Sequence, residues 1–441
     1  MSFEARRTVF VILSFEGPDA YSLAGGLGVR VRGLSRALAE LGFQTHLYFC
    51  GGPDLPAAEE HVDGRLHLRR WSQWISAQHP DGVYDGEEGK IRDWNASLPR
   101  ALVETVIVPA AAAGNNVVVM GEEWHTAWSM IGISDELRRR GLRDRAVMLW
   151  NANSTFGLHR IDWLGLTKAA TLTTVSRYMK VRLWEHGQNP IVIPNGIPRS
   201  SIVDPDPAAV SQVRSSAAPN RLFFKLGRFD PDKRWLMAIS AVARLKREGL
   251  GVKLLVRGGR EAHGKEVFAH ADLERLAVAH VTAPADASGV AQMLREHGDA
   301  DVIDFTTFVA DDLVAVLYSA CDAVLANSGH EPFGLVGLEV MAAGGLAVTG
   351  STGEDYAEAY RNALVLETAD PVELVTQLKL LRERPRLAGS IRRHGRTTAR
   401  RYVWDKVIEQ LLLRIEFAAA VQGVKVAGPA PARSRVRPRP T

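Results

Sequence analysis

The sequence predicts an α/β protein made of two Rossmann-like, doubly wound domains that face each other across a cleft. Its 441 residues are more than one ordinary hydrophobic core holds. Short apolar runs alternate with helical patterns through both halves, as parallel βαβ units do. Between the halves, residues 197–220 are rich in Pro, Ser and Asp, which indicates a linker.

These features set the expected domain boundaries. We expect an N-terminal Rossmann-like domain over residues 1–199, a linker over 200–220 and a second Rossmann-like domain over 221–400. A long amphipathic pattern over residues 401–421 predicts a helix that crosses between the domains. Residues 422–441 are rich in Pro, Ala and Arg and predict a disordered basic tail.

The N-terminal half begins with a strand–turn–helix–strand unit. RTVFVILSF reads as a buried strand, and GLGVRVRGLSRALAELG as a helix with Val31, Leu34 and Leu38 on one face. Gly42 ends that helix, and FQTHLYFC is the next strand. Four more apolar runs predict further strands of a parallel sheet: NNVVVMG, RAVMLWN, ATLTTVS and PIVIPNG.

The C-terminal half repeats this alternation. Its predicted strands are RLFFKLG, VKLLVRGG, ADVIDF, CDAVLANS and GLAVTG, with helical segments between them. In open α/β sheets the ligand lies outside the carboxyl ends of the strands, so the loops that follow these runs are the candidate binding loops.

Composition excludes several classes of protein. The net charge of +4 depends on the last 21 residues, which hold five basic side chains and no acid. The remaining chain is close to neutral, so we do not predict nucleic-acid binding. Two cysteines far apart predict neither disulfides nor a metal site, and no apolar run is long enough to span a bilayer. A cytoplasmic location is therefore expected.

An aromatic insert, defined here as residues 70–99, interrupts the alternation. It contains Trp71, Trp74, Tyr84 and Trp94. Two interpretations stay open: a surface lobe whose aromatic side chains pack among themselves, and a stacking platform for a sugar ring. The first is slightly favoured, because Trp is commonly buried wherever it occurs.

A glycine-rich turn lies between the first strand and the first helix. Gly25, Gly26 and Gly28 allow close approach of the backbone to a phosphate at the start of that helix. The turn is not a dinucleotide fingerprint, because Val31 stands where the third glycine would be. A plain tight turn is the alternative.

Charged side chains follow two other predicted strands. Arg228 and Lys233 surround an Asp-Pro turn, where two cations suit a diphosphate, although pairing with Asp230 or Asp232 would also explain them. His125 follows NNVVVMG, where it could bond a ligand hydroxyl or have only a structural role.

The stretch GHEPFGLVGLEVMAAGG carries two acids around a turn. The backbone amides of Phe333, Gly334 and Leu335 open a helix and can bind phosphate or sugar oxygens. Glu331 precedes them, and Glu339 lies further along the helix, where it could accept ribose hydroxyls. The structural alternative has Glu331 as a surface acid and Glu339 as the partner of an arginine.

Together these motifs resemble the retaining, nucleotide-sugar-dependent glycosyltransferases of the B-type fold, the group 1 family related to bacterial glycogen synthases. The resemblance covers about Val9 to Val421. It depends on motifs that occur in the family's order: Gly25–Gly28, Trp124–Thr126, TVSRYM, VIPNGI, Arg228 with Lys233, and Glu331 with Glu339.

The resemblance implies transfer of a hexose from a nucleotide diphosphate sugar to an acceptor hydroxyl, without metal or cofactor. The first domain would take the acceptor, which is a saccharide, a small molecule or a lipid-linked group, and the second the donor. The implied donor contacts are Gly25, Gly26, Gly28, Phe333, Gly334, Leu335, Glu339, Thr352 and Gly353. The implied catalytic residues are His125, Arg228, Lys233 and Glu331.

Within these implied roles, Arg228 and Lys233 hold the leaving diphosphate, Glu331 contacts the donor sugar and Glu339 the ribose. His125 bonds the donor sugar near its reacting carbon. The lysine usual before the family's glycine turn is absent, because Leu23 and Ala24 stand there. This departure disfavours an ADP-glucose donor and a glucan acceptor.

Three alternatives remain. An epimerase or a phosphorylase can use the same architecture, and a non-catalytic regulator could bind a nucleotide sugar without turnover. A weak contact with an anionic membrane surface through Arg30, Arg32, Arg36 and the basic tail ranks below a freely diffusing enzyme.

Overall fold

The computed structural model describes residues 3–426, which form two compact units. The first unit contains residues 3–174, 186–193 and 408–426, and the second contains Val175–Glu185 and Pro194–Val407. Each unit is built around one largely parallel sheet covered by helices. The predicted α/β class with two doubly wound domains is confirmed.

The elements of the first unit follow the predicted alternation. They are β1 (Thr8–Leu13), α1 (Gly26–Glu40), β2 (Gln44–Cys50), β3 (Ala58–His61), β4 (Leu66–Trp71), α2 (Gln73–Ser76), α3 (Glu87–Leu102), α4 (Val108–Ala112), β5 (Asn116–Glu122), α5 (Ala127–Arg139), β6 (Ala146–Ala152), α6 (Trp163–Ala169) and β7 (Thr171–Thr174). Helix α7 (Arg177–Trp184) belongs to the second unit, and β8 (Ile191–Val192) completes the first sheet.

The first sheet has the strand order β3-β4-β2-β1-β5-β6-β7-β8. Only the β3–β4 pair is antiparallel among its strands. Strand β1 is buried along its whole length, since it lies between β2 and β5 with both faces covered. Leu13 at the end of β1 pairs with Gly121 near the end of β5. The loops after these two strands therefore leave the sheet side by side.

The second unit contains the remaining elements. They are α8 (Pro207–Ala217), β9 (Arg221–Leu226), α9 (Trp235–Arg247), β10 (Val252–Arg257), α10 (His263–Leu273), β11 (Val278–Val281), α11 (Ala287–Glu296), β12 (Val302–Phe305), α12 (Asp311–Ala320), β13 (Ala323–Ala326), α13 (Leu335–Ala342), β14 (Ala347–Thr349), β15 (Leu364–Val365), α14 (Pro371–Glu383) and α15 (Pro385–Ala399). Helix α16 (Trp404–Gln422) starts in this unit and continues into the first from Ile408.

All strand pairs of the second sheet are parallel, in the order β11-β12-β10-β9-β13-β14-β15. Strands β9, β13 and β14 are neighbours, so their carboxyl ends share one edge of the sheet. The loops that carry Lys233, Glu331 and Thr352 begin at that edge.

Residues 200–220, predicted to be a linker, contain helix α8. Asp206 caps its start by accepting the amide of Ala208 at 3.0 Å, and Pro207 occupies the first turn. Val213 and Ala217 are buried, and the helix packs against α11 and α12 of the second unit. The Asp-Pro pair that suggested a linker is here a helix-start signal.

The predicted C-terminal helix corresponds to α16, with its ends shifted by a few residues. The side chain of Gln422 donates to the Met148 carbonyl at 2.8 Å and accepts from the Met148 amide at 3.0 Å. Most of the predicted disordered tail lies outside the described residues. No helix within residues 3–426 has the length and apolar character needed to cross a membrane.

Candidate functional site

The glycine turn of the first unit is organised by an acid that sequence reasoning did not select. Oε2 of Glu16, in the loop after β1, accepts the backbone amides of Gly25 and Gly28, each at 2.9 Å. A Cβ atom on Gly28 would lie 2.8 Å from Leu23 and 3.1 Å from Glu16. Two of the amides predicted for the donor are thus occupied by a protein carboxyl group, and Gly28 has no room for a side chain.

His125 is buried at the end of the loop after β5. Its ring stacks on Phe15 with centroids 4.3 Å apart and on Trp124 with centroids 4.0 Å apart. Nε2 lies 2.9 Å from Oε1 of Glu87, while Nδ1 is buried without a hydrogen-bond partner among the described residues. Burial lowers the pKa of His125, although the nearby Glu87 carboxyl opposes this. A neutral imidazole that donates from Nε2 to Glu87 fits both observations.

The aromatic insert supplies the acid beside His125. Glu87 is the first residue of α3, and Tyr84 precedes it in the same loop. The Tyr84 hydroxyl donates to Oε1 of Glu16 at 2.6 Å, and burial together with this acid raises the pKa of Tyr84. The insert therefore contacts His125 and also Glu16, the residue that holds the glycine turn.

The aromatic side chains of the insert do not form one cluster of their own. Trp94 is buried, whereas Trp74 is 64% exposed. Trp71 donates from its indole nitrogen to Ser97 at 2.8 Å. The prediction of aromatics packed among themselves is therefore wrong; instead, the insert folds against the rest of the first unit.

A buried ion pair joins helix α1 to the end of strand β5. Nε of Arg30 is 3.0 Å from Oε2 of Glu122, and both side chains are almost fully buried. Asn151 and Asn153 also donate to Oε2 of Glu122, at 3.0 and 2.7 Å. The prediction that Arg30 contributes to a membrane-binding surface is wrong, because its guanidinium group is enclosed in the first unit.

The next residue, Glu123, has a positive φ of 65°. Its carboxyl group accepts the Asn153 amide at 2.5 Å and the Ser154 hydroxyl at 3.1 Å. Burial raises the pKa of Glu123 to about 8. A non-glycine residue in this backbone region is uncommon, and it marks this loop as constrained by its surroundings.

In the second unit, Lys233 and Glu331 come together as an ion pair. Lys233 ends a short turn after β9, and Glu331 lies in the loop after β13. Both side chains are partly exposed, so a ligand can reach them. The alternative that pairs Lys233 with Asp230 or Asp232 does not occur, because the Asp230 side chain instead caps the Asp232 amide at 2.9 Å.

The loops after β13 and β14 interlock around this pair. The Glu331 amide donates to Oγ1 of Thr352 at 2.9 Å, and the Tyr356 hydroxyl donates to the Gly334 carbonyl. Gly334 has a φ of +76°, which favours glycine. A Cβ atom on Gly353 would lie 2.0 Å from the Glu331 carbonyl oxygen, so only glycine fits there.

Phe333 and Leu335 complete the turn. Phe333 is buried and its ring centroid lies 5.7 Å from that of Tyr356, whereas Leu335 is the first residue of α13. The side chain of Phe333 therefore anchors the turn, and its backbone opens a helix. This arrangement keeps the amide-rich turn close to the Lys233–Glu331 pair.

Glu354 is a second buried acid at this edge. Its Oε2 atom has no hydrogen-bond partner among the described residues, and a Cβ atom on Gly334 would lie 2.7 Å from its Cγ. Burial raises the pKa of Glu354 to about 8, and Glu331 adds to this effect. A neutral carboxyl group at this position can donate a hydrogen bond at neutral pH.

Arg228 and Glu339 line a cavity of about 360 Å³ in the second unit. The cavity is also lined by Arg257, Asp311 and Tyr318. Burial raises the pKa of Glu339, with a further contribution from Asp311. Within residues 3–426, Glu339 forms no ion pair with an arginine, although Arg228 and Arg257 line the same cavity.

The structure thus groups the predicted residues into two sets. The first unit holds the glycine turn and His125; the second holds the Lys233–Glu331 pair, the Thr352–Gly353 loop and the cavity with Arg228 and Glu339. Sequence reasoning missed Glu16, Glu87 and Glu354. Glu16 could have been found from its place directly after β1, whereas Glu87 and Glu354 had no sequence signal of their own.

Comparison with known proteins supports a sugar-transfer family. Residues 210–398 match the family described as glycosyl transferases group 1. The D-inositol 3-phosphate glycosyltransferase of Thermomonospora curvata is 30% identical over 150 residues, which cover 32% of this chain and 34% of that protein. The mannosylfructose-phosphate synthase of Agrobacterium fabrum is 33% identical over 129 residues, 28% of each chain. These matches span about a third or less of the relatives' length.

Solved structures match over nearly the whole chain. The sucrose-phosphate synthase of Thermosynechococcus elongatus has a TM-score of 0.65 at 21% identity and covers 94% of this chain and 100% of its own. Anabaena HepE in complex with UDP-glucose has a TM-score of 0.61 at 15% identity, over 92% of this chain and 99% of its own. At these identities the likeness shows the fold alone. The chain therefore has the B-type fold of these solved structures, and its residues 210–398 match the glycosyl transferases group 1 family.

Proposed function

We propose that this protein transfers a hexose from a nucleotide diphosphate sugar to an acceptor hydroxyl, with retention of anomeric configuration and without a metal ion. The observation that carries the proposal is the ion pair of Lys233 with Glu331 beside the amide-rich start of α13. A cation and backbone amides together suit an anionic diphosphate, and an adjacent carboxylate suits sugar hydroxyls.

The charges expected during transfer explain why this pairing is useful. As the glycosidic bond breaks, positive charge develops at the anomeric carbon and negative charge on the departing diphosphate. Fixed cations stabilise that anion best when they need no rearrangement. Lys233 and Arg228 have this role in the proposal, while Glu331 accepts hydroxyl hydrogens of the sugar. The neutral Glu354 carboxyl group beside Gly334 adds no competing negative charge.

The cavity lined by Arg228 and Glu339 is the proposed nucleoside pocket. Its volume of about 360 Å³ lies in the range of small-molecule sites. Glu339 would accept ribose hydroxyls there. Retention is proposed to proceed by attack on the same face as the leaving group, with a phosphate oxygen taking the acceptor's proton. No carboxylate nucleophile is assigned.

The acceptor is proposed to be a hydroxyl-bearing small molecule, a saccharide or a lipid-linked group. Two similar proteins have names that carry a sugar or inositol phosphate, namely a D-inositol 3-phosphate glycosyltransferase and a mannosylfructose-phosphate synthase. Those names support a small polyhydroxylated acceptor of this general kind.

The test is release of nucleoside diphosphate from a panel of UDP-, GDP- and ADP-sugars. Lys233→Ala and Glu331→Ala are expected to abolish release. Lys246→Ala is the matched control, because Lys246 is an exposed lysine of the same unit that pairs with Asp301 at 2.6 Å. Full activity of both Lys233→Ala and Glu331→Ala would show that the site is misassigned.

Further measurements separate the alternatives. NMR of the product reports its anomeric configuration, and an inverted product would refute retention. Loss of activity in EDTA would refute metal independence. Isomerised donor without release indicates an epimerase, a requirement for inorganic phosphate indicates a phosphorylase, and binding without turnover indicates a regulator.

A further inference from the structure

The Glu87 carboxyl group of the aromatic insert is accessible to solvent, whereas its partner His125 is not. The Glu87 side chain is 31% exposed, whereas the His125 side chain is only 6% exposed. Phe15 and Trp124 cover the two faces of the His125 ring. A ligand from solvent therefore meets Glu87 before it meets the imidazole. This reverses the expected order, in which His125 contacts the substrate directly.

The loop that carries Glu87 is held rigidly. Nζ of the fully buried Lys90 donates to the carbonyls of Gly82, Val83 and Asp85, at 3.1, 3.1 and 2.5 Å. It also donates to the Tyr21 hydroxyl at 2.6 Å. A lysine with four oxygen partners is a costly feature for a surface lobe, since burial of its charge must be compensated in full. The insert is thus built to keep its geometry.

The start of helix α3 is fixed as well. Gly86 has a φ of +67°, and a Cβ atom there would lie 2.3 Å from the ring of His79. Glu87 follows as the first helical residue, where an acid is favoured by the helix dipole. Its position beside His125 therefore follows from the backbone.

Tyr84 adds an aromatic surface next to this carboxyl group. Its side chain is 44% exposed, and its ring centroid lies 5.8 Å from that of Phe15 and 6.0 Å from that of His125. The hydroxyl group is anchored on Glu16. An accessible aromatic ring beside an accessible carboxylate is a combination that suits a sugar or polyol, which offers both C–H faces and hydroxyl donors.

The charge of this surface argues against a phosphate. Glu16 and Glu87 lie within this group of loops, and the nearby cation Arg160 already pairs with Glu88 at 2.7 Å. The Lys90 charge is enclosed and bound to four oxygens. A phosphate placed here would meet carboxyl groups and no free cation among these residues.

We propose that Glu87 and Tyr84, supported by His125 and Glu16, form a subsite for the hydroxyl groups of a neutral sugar or polyol acceptor. Glu87 accepts a hydroxyl hydrogen, and Tyr84 packs against the ring carbons. His125 is a positioning residue that holds the Glu87 carboxylate through Nε2–H. This inference rests on the proposed transferase function and adds which residues recognise the acceptor and what charge it has.

The kinetic test compares Glu87→Gln with Glu104→Gln. The control carries the same substitution at an exposed glutamate of the same unit, which pairs with Arg100 and Arg140. Loss of one hydrogen bond to a charged group corresponds to roughly ten- to hundredfold in affinity. We therefore expect Glu87→Gln to raise the acceptor KM about tenfold or more and to move the donor KM far less. An unchanged acceptor KM, or equal increases in both constants, would overturn the proposal.

Direct binding provides a readout that does not need turnover. The probes are glucose against glucose 6-phosphate, and myo-inositol against myo-inositol 1-phosphate, followed by ligand-observed NMR on the full chain. We expect the neutral member of a pair to bind the wild type and to lose binding in Glu87→Gln. Tighter binding of the phosphorylated members, or no binding of either neutral probe, would overturn the subsite.

Two further results keep the test decisive. If Glu87→Gln does not fold, Tyr84→Phe replaces it, because this variant keeps the ring and removes only the hydrogen bond to Glu16. Tyr84→Phe should weaken binding of the neutral probe severalfold. Unchanged binding would contradict the proposal. Failure of the transferase function would appear as no nucleoside diphosphate release from any donor. The NMR comparison would still decide the subsite.

Discussion

Arg30→Met should be among the most destabilising single substitutions in the first unit. Arg30 makes two hydrogen bonds to Glu122, from Nε at 3.0 Å and from Nη2 at 3.2 Å. The side chains are 2% and 0% exposed. Replacement by Met fills the volume of the aliphatic part of the chain, but it leaves the Glu122 carboxyl group buried without its cation.

The structure gives the size of the effect. Removal of one partner from a buried ion pair costs about 3–5 kcal/mol, because the remaining charge is desolvated and uncompensated. Asn151 and Asn153 still donate to Glu122, which places the expected loss towards the lower end of that range. For a unit of about 200 residues, this corresponds to a decrease in Tm of about 10 °C.

Differential scanning calorimetry measures this decrease, with two comparisons. Arg36→Met, on the same helix, removes an exposed i,i+4 pair with Glu40 and should cost less than about 1 kcal/mol. The double variant Arg30→Met/Glu122→Gln removes the charge but keeps an acceptor for the asparagines, so it should recover most of the lost stability. The reasoning is refuted if Arg30→Met is no worse than Arg36→Met, or if the double variant is no better than the single one.

Three further predictions concern two residues of the second unit and one residue of the aromatic insert. Gly353→Ala should abolish nucleotide binding measured by calorimetry, because its Cβ atom would lie 2.0 Å from the Glu331 carbonyl; retained affinity would contradict the interlocked loops. The pKa of Glu354 rises from about 4.5 unfolded to about 8 folded, so the folded state binds an extra proton between these values and loses stability as pH rises through them. Between pH 5 and 8, the free energy of urea unfolding should therefore decrease less for Glu354→Gln than for the wild type. The other titratable groups near Glu354 are Glu331, Lys233 and Tyr356. Equal slopes in the two proteins would rule this prediction out. Lys90→Met should lower the free energy of unfolding by about 3 kcal/mol, because it leaves buried carbonyl groups unpaired. Faster proteolytic cleavage within the insert should accompany this loss of stability.

Much of the fold was predictable because parallel α/β units have strong local signals. Buried strands such as β1 are continuous apolar runs, and the glycine-rich turn after β1 separates that strand from helix α1. The stretch from Glu331 to Leu335 was predictable for the same reason, since its turn and helix start are encoded within a few residues. Helix α8 was missed because its Asp-Pro start also reads as linker sequence.

The contacts that complete the site are less visible in the sequence. Glu16 reaches the amides of Gly25 and Gly28 across a loop, and Glu87 meets His125 from 38 residues away. Such pairs depend on the register of strands and on how an insert folds back, and neither is set by local propensity. The aromatic residues mark the insert in the sequence, but the insert contacts His125 through the acid Glu87.

The two amide-rich turns also show why a helix start alone is weak support for a phosphate site. At the start of α1, amides of the glycine turn are satisfied by Glu16, and the lysine position before the turn is filled by Leu23 and Ala24. At the start of α13, Lys233 lies beside the turn through its pair with Glu331, and the Glu354 carboxyl group is neutral at pH 7 because burial raises its pKa to about 8. An anion gains from amides only when a cation is near and no other acid occupies them. On this ground we propose that the diphosphate binds to the second unit and that neutral hydroxyl groups bind to the first.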